Sequence, residues 1–283
     1  PDFAHEKLLK EFYNYTIIGG MPEVVELYSK TSNIVELKPV YEGLLRSYLD
    51  DVEKYARNDT LIRVIRHSIE SCFYLAGIRI KFEGFGQSSY KSREISEALK
   101  TLEKAMLIYL MYPTTATELP IMADYKKSPR LHILDTGLVN YFAGLQKELF
   151  GTRDLNSVYE GRIAEHIVGQ ELLAEYQVLP EKVQFWVREK KQSSAQVDYV
   201  IPFESYIIPI EVKAGKAGKL RSLHEFINRT KHKYAVRVYS GKLKIDIEEN
   251  INGKKFFLLN LPFYLTGGIK KYLHWFIEQV AKF

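Results

Sequence analysis

Two short apolar runs, Ala195 to Ile201 and Tyr206 to Val212, are rich in Val, Ile and Tyr and flank the turn-like stretch Pro202-Phe-Glu-Ser205. The pattern predicts a β-hairpin. A hairpin constrains more than itself, because antiparallel partners are fixed by where the turn falls. With the turn centred on Glu204 and Ser205, Asp198 falls opposite Glu211, and opposed residues share a face of the sheet. Lys213 lies two positions beyond Glu211 and joins that face through the period-two alternation of a strand. One sheet face is therefore expected to present two carboxylates and an ammonium. Ile207, Ile208 and Ile210 make the strand carrying Glu211 largely apolar, so its acid is expected in a buried setting. A buried acid needs a partner or a metal ion.

Two carboxylates can hold a hard divalent cation such as Mg²⁺, which activates water and neutralises charge on a phosphate oxygen. A neighbouring lysine can orient that water or stabilise the developing charge. The competing reading of the same three residues is a cross-strand ion pair with a structural role. Charge distribution bears on the choice. The net charge of +5 is uneven: residues 1–150 hold 19 Lys and Arg against 20 Asp and Glu, and residues 151–283 hold 21 against 15. The basic excess thus accompanies the hairpin. It gathers in Arg188, Lys190 and Lys191, in Lys213, Lys216, Lys219 and Arg221, and in Arg229, Lys231, Lys233 and Arg237. Such clusters suit phosphate contacts, which makes DNA the expected partner, although a solvated basic surface would look the same.

A length of 283 residues allows one large or two ordinary domains. The lone Cys72 excludes an intramolecular disulfide and any multi-cysteine zinc site, so a reducing, cytoplasmic setting is expected. No apolar run approaches the roughly 20 residues of a membrane helix, and no signal-peptide pattern opens the chain, so no membrane partner is expected. A chain that begins at Pro1 reads as a piece of a longer one. No glycine stretch has the spacing of a phosphate loop: Gly215-Lys-Ala-Gly-Lys219 is too short and follows a strand. ATP is therefore not expected to bind this chain.

Three segments are expected. Residues 1–58 read as helices, broken by the Gly19-Gly20 turn, with one helix from Pro22 and another over Val35–Tyr55. Residues 59–150 read as helix, helix and strands in the order of a winged helix, with Ser92 capping a helix to Ala105 and Thr114–Lys127 as the wing. Arg93 and Lys100 would be DNA contacts on that helix, but Glu94, Glu97 and Glu103 dilute its charge, so DNA reading and protein docking both stay open. Residues 151–283 read as helix, strand, hairpin, helix, strand, with a strand at Phe256–Leu259 and a closing helix over Ile269–Val280.

These residues carry a resemblance. Asp198, a gap and Glu211-Val-Lys213 resemble the PD-(D/E)xK motif of the restriction-endonuclease-like fold, with a spacing close to that of archaeal Holliday junction resolvases. Gly19-Gly-Met-Pro-Glu-Val25, Ser128-Pro-Arg-Leu131, Asp135-Thr-Gly-Leu138, Tyr159-Glu-Gly-Arg-Ile-Ala-Glu165 and Ile210-Glu-Val-Lys213 are together similar to the C-terminal region of a large bacterial and archaeal family of AAA-type ATPases. In that family a P-loop ATPase module precedes a C-terminal domain of unknown function. The resemblance spans essentially the whole chain. It implies an α/β protein: an N-terminal helical and winged-helix-like region, then a restriction-endonuclease-like domain. Asp198, Glu211 and Lys213 would be catalytic, with Mg²⁺ held by Asp198, Glu211 and Glu165. Helical spacing alone does not choose Glu165, since Glu160 and Glu171 point nearer the centre of the apolar stripe; the family pattern Gly161-x-x-x-Glu165 does. His166 next to it reads as a nearby polar contact or, as is commoner for such a histidine, an exposed residue. The implied function is Mg²⁺-dependent hydrolysis of a DNA phosphodiester; the alternative is a non-catalytic DNA- or protein-interaction module.

Overall fold

The structure, a computed structural model, describes residues 2–146, 161–176, 183–188, 195–213, 220–250 and 252–282. It is a mixed α/β protein whose chain divides into two compact units: Pro1–Phe12, Met111–Lys127 and Arg153–Phe283 form the larger, and Tyr13–Leu110 with Ser128–Thr152 the smaller.

The larger unit is built on a seven-stranded sheet. Its strands are β2 (Pro113–Thr114), β4 (Gln184–Val187), β5 (Gln196–Phe203), β6 (Tyr206–Lys213), β7 (Tyr234–Tyr239), β8 (Lys244–Glu249) and β9 (Lys255–Pro262). They lie in the order β2-β4-β5-β6-β7-β9-β8. The β5–β6 hairpin has the register the turn position demands, from Phe203 opposite Tyr206 to Tyr199 opposite Ile210. Helices α7 (Arg162–Glu175), α8 (Arg221–Arg229) and α9 (Ile269–Val280) belong to this unit. Leu223, Phe226 and Ile227 form the apolar stripe of α8 at helical spacing. They pack on Val200 and Ile207 of the hairpin and on Ala235, Phe256 and Leu258 beyond it. Full burial of such side chains contributes about 1.5–3 kcal/mol each. At the far end of α8, Lys254 Nζ donates to the Ile227 carbonyl at 2.6 Å and satisfies a group the helix cannot pair itself.

The stretch expected as a wing begins differently. Pro113 and Thr114 form an edge strand parallel to β4, a position proline tolerates because no ladder bond to its nitrogen is required. The Trp186 indole N–H fixes it by donating to the Thr115 carbonyl at 3.2 Å.

The smaller unit holds α2 (Pro22–Thr31), α3 (Lys38–Tyr55), α4 (Asp59–Cys72), α5 (Ser92–Lys104), α6 (Thr136–Phe142) and the last turns of α1 (Asp2–Ile18). Strands β1 (Ile108–Met111) and β3 (Arg130–Ile133) pair in a small sheet. Asn58 caps α4 by accepting the Leu61 N–H at 2.9 Å. Ser92 is the first residue of α5 and not its cap: Lys91 holds that place, and its N–H donates to Glu94 at 2.8 Å.

Two of the glycine-bearing motifs meet in this unit. The Asp135 carboxylate accepts the Gly20 N–H at 2.6 Å and the Leu138 N–H at 3.1 Å, so one buried acid joins the turn after α1 to the start of α6. Gly19 has φ +78° and an added Cβ would stand 2.1 Å from Asp135 Oδ1; one on Gly137 would stand 2.0 Å from the Ile18 carbonyl oxygen. The α1 end is finished by Asn140 Nδ2, which donates to the Thr16 carbonyl at 2.8 Å, and by the Tyr41 hydroxyl, which donates to that of Ile18 at 2.6 Å. Burial pushes the Asp135 carboxyl up, against the backbone N–H groups of Gly20, Leu138 and Gly137 that pull it down. Replacing Asp135 by Ala strands those donors and is expected to cost about 2 kcal/mol, against about 1 kcal/mol for Tyr41→Phe. Urea unfolding of the two variants checks the ranking.

Candidate functional site

The site is set by where the hairpin ladder stops. Tyr199 and Ile210 are the last paired residues of β5 and β6, and the next pair along that register would be Asp198 and Glu211. There the Asp198 carboxylate accepts the Val212 N–H at 2.8 Å, taking the place of a strand carbonyl where the strands part. The alternation of side chains puts Asp198 and Glu211 on the face of Val200 and Ile207, the face that α8 covers. Both acids are buried, at 9% and 5% exposure, so they do not decorate a solvated surface.

Electrostatics couple the group. Lys213 Nζ donates to Glu211 Oε1 at 2.7 Å. Glu211 Oε2 is buried and has no hydrogen-bond partner among the described residues. Burial, then the Asp198 charge, push the Glu211 carboxyl up to about 8, with Lys213 pulling it down and Glu165 adding to the rise. For Lys213, burial pulls the ammonium down, but Glu211, then Asp198 and Glu165, outweigh it and hold the group above its ordinary value. Glu165 on α7 is half-buried. Its backbone carbonyl accepts the Tyr199 hydroxyl at 2.6 Å, which pins α7 to β5 at that residue. Among the described residues no three His, Cys, Asp or Glu side chains converge as a metal cage. The donor set is a carboxylate pair, with Glu165 acting on it from farther off. An orphaned, buried carboxylate oxygen beside a second carboxylate fits Mg²⁺, which takes one or two carboxylates and keeps several waters.

The basic residues are scattered. Arg188 Nε lies 3.2 Å from Glu225 on α8, which also pairs with Arg229 at 2.7 Å. Arg221 is exposed at the start of α8. Lys190, Lys191, Lys216 and Lys219 lie outside the described residues. Arg93 and Lys100 belong to the smaller unit, where with Arg57, Glu97 and Lys104 they line a cleft of about 590 Å³ along the exposed side of α5. His166, expected at the surface, is 2% exposed, because α7 is buried around most of its circumference at that turn. Sequence reasoning placed Arg237 only in a basic cluster, yet it pairs in register with Glu211 on the adjacent strand. A charged residue inside the apolar run Tyr234-Ala-Val-Arg-Val-Tyr239 was the signal for it.

Residues 9–149 match a domain of unknown function (DUF8612), and residues 160–264 match another, DUF4143. The second match contains Glu165, Asp198, Glu211, Lys213 and Arg237. No curated protein matches the chain. Among the described residues no helix is long and apolar enough to cross a membrane.

The raised Glu211 carboxyl fixes a pH dependence. The folded chain holds that proton more tightly than the unfolded chain does, so stability is lost as pH rises from the ordinary 4.5 through about 8. In chelator, Glu211→Gln is expected to melt above the wild type at about pH 9, with the margin shrinking toward about pH 5. Thermal melts across that range decide, and a margin that grows toward acid pH contradicts the assignment.

Proposed function

We propose that the larger unit is a nuclease-like centre for metal-dependent hydrolysis of a DNA phosphodiester, with a restriction-endonuclease-like core of the PD-(D/E)xK kind. The carrying observation is the buried Asp198–Glu211 pair at the end of the hairpin ladder, with Lys213 on one Glu211 oxygen and the other oxygen unpartnered. Asp198 and Glu211 hold the cation, and Glu165 lends negative charge from α7. Mg²⁺ bound there would neutralise charge on a phosphate oxygen and lower the cost of ionising water. The Val212 amide orients Asp198. Lys213 stays protonated and is placed to stabilise negative charge developing on the phosphate. Taken by itself, α5 of the smaller unit offers Arg93 and Lys100 as phosphate contacts that would hold DNA without reading its sequence. The match to DUF4143, a family that accompanies AAA ATPase domains, supports the resemblance to the C-terminal region of such ATPases.

A second reading is favoured by the closed Lys213–Glu211 ion pair: a non-catalytic module that binds DNA or a protein partner, with the trio acting as a structural network. The purified chain is incubated with Mg²⁺ or Mn²⁺ and with branched, single-stranded and duplex DNA. Cleavage is expected to fall about 100-fold or more in Lys213→Ala and Asp198→Asn, while DNA binding persists. Salt-dependent binding with no cleavage in any variant favours the second reading. Arg93→Ala with Lys100→Ala is expected to flatten the logarithmic salt dependence of duplex binding by about 1.8 if both touch phosphate.

A further inference from the structure

The hairpin carboxylates do not stand alone on their face of the sheet. Glu211 pairs in register with Arg237 on β7, Arg237 with Asn260 on β9, and Asn260 with Lys244 on β8. Residues paired in register share a face, so Asp198, Glu211, Arg237, Asn260 and Lys244 form one polar row across five strands. It borders the apolar patch of Ala235, Phe256 and Leu258 that α8 covers. Within the row the acids are already engaged: Glu211 with Lys213 at 2.7 Å, and Asp246, beside the row on β8, with Lys244 at 2.7 Å and Asn260 at 3.0 Å.

Arg237 is held differently. Its neighbours Val236 and Val238 are fully buried, and its guanidinium carbon lies 4.6 Å from the centre of the Tyr239 ring. The Tyr239 hydroxyl also takes a hydrogen bond from Arg237, so the ring positions the arginine, and a guanidinium with five N–H donors keeps others for a ligand. The platform is itself fixed. The Tyr239 hydroxyl donates to the Lys242 carbonyl at 2.6 Å, and an added Cβ on Gly241 would stand 2.3 Å from the ring. The β7–β8 turn therefore needs glycine to let the ring lie where it does. Arg237 Nε is buried with no hydrogen-bond partner among the described residues. Arg237 is half-buried with its Nε enclosed, and an enclosed donor one strand away from a carboxylate pair is a costly arrangement for packing alone. It suits a planar anion brought from outside, since the fork of a guanidinium matches two oxygens of a phosphate.

We propose that Arg237, stacked on Tyr239, is the residue that grips the phosphodiester of the DNA at this site, with Tyr239 as its positioning residue. This rests on the nuclease-like reading and adds the group that holds the anion beside the carboxylates. Carboxylates alone repel a phosphate, and the Lys213 ammonium is shared with Glu211. Arg237 supplies a cation whose Nε has no hydrogen-bond partner among the described residues.

The test uses the full chain and fluorescently labelled duplex and branched DNA, with Ca²⁺ replacing Mg²⁺ to read binding and Mg²⁺ to read cleavage. Arg237→Gln is expected to weaken binding about 10- to 100-fold and to lower the logarithmic salt dependence by about 0.9, with an unchanged melting midpoint. Arg237→Lys keeps the charge but loses the fork and is expected to fall between. Tyr239→Phe, which frees the ring from Lys242, is expected to lose affinity in the same direction by less. A merely structural arginine would move the melting midpoint and leave the salt dependence alone. If Arg237→Gln folds poorly, the comparison passes to Arg237→Lys and Tyr239→Phe, and wild-type affinity and salt dependence in both overturns the proposal. A wild-type chain that binds and cleaves alongside an indistinguishable Arg237→Gln overturns this inference and leaves the nuclease reading standing. A wild-type chain that does neither overturns both.

Discussion

The hydrogen bond from the Val212 amide to the Asp198 carboxylate is the constraint on which the site depends. It forms where the β5–β6 ladder gives out, so a side chain does what a strand carbonyl would otherwise do. That substitution keeps Asp198 in an orientation a free carboxylate would not hold. It also brings a negative charge next to Glu211, whose ionisation it opposes. The ammonium of Lys213 and the unpartnered Glu211 oxygen follow from the same geometry. Neither could be placed without the register that the Glu204–Ser205 turn dictates.

Legibility in the sequence tracks how local each determinant is. The hairpin was readable to the residue because the turn position alone fixes which residues oppose each other. The helix over Ile269–Val280 was readable because its apolar spacing is uninterrupted. Strand β8 was not, because Lys-Ile-Asp-Ile-Glu-Glu carries charge at most positions, as an edge strand does to discourage further pairing. The two-residue strand β2 was not, because Pro113-Thr114 has no periodicity and its partner β4 lies some seventy positions later. The burial of His166 was not legible because helical spacing shows one stripe, whereas α7 is buried more widely. Arg237 was visible as a charge but not as a neighbour of Glu211, since parallel pairing across a helical crossover is set by packing and not by any short stretch of chain.

The motifs that carry the family resemblance divide by purpose. Gly19-Gly20 and Asp135-Thr-Gly137 serve construction: backbones approach so closely around Asp135 that a single methyl group would be excluded. Glu211-Val-Lys213 instead sets an ammonium 2.7 Å from a buried carboxylate. A motif rich in glycine and aspartate thus needs its contacts before its role can be assigned.

The larger unit is assembled from three separate stretches of chain, with all of the smaller unit encoded between the first and the last. During synthesis the edge strand Pro113–Thr114 leaves the ribosome well before β4 exists to receive it, and it must wait while the chain closes that long loop. The smaller unit has all its own residues before β4 is made. Cutting the gene at the boundary the composition suggests would strip β4 of its neighbour and expose the Trp186 indole, which is a reason to expect such a fragment to aggregate.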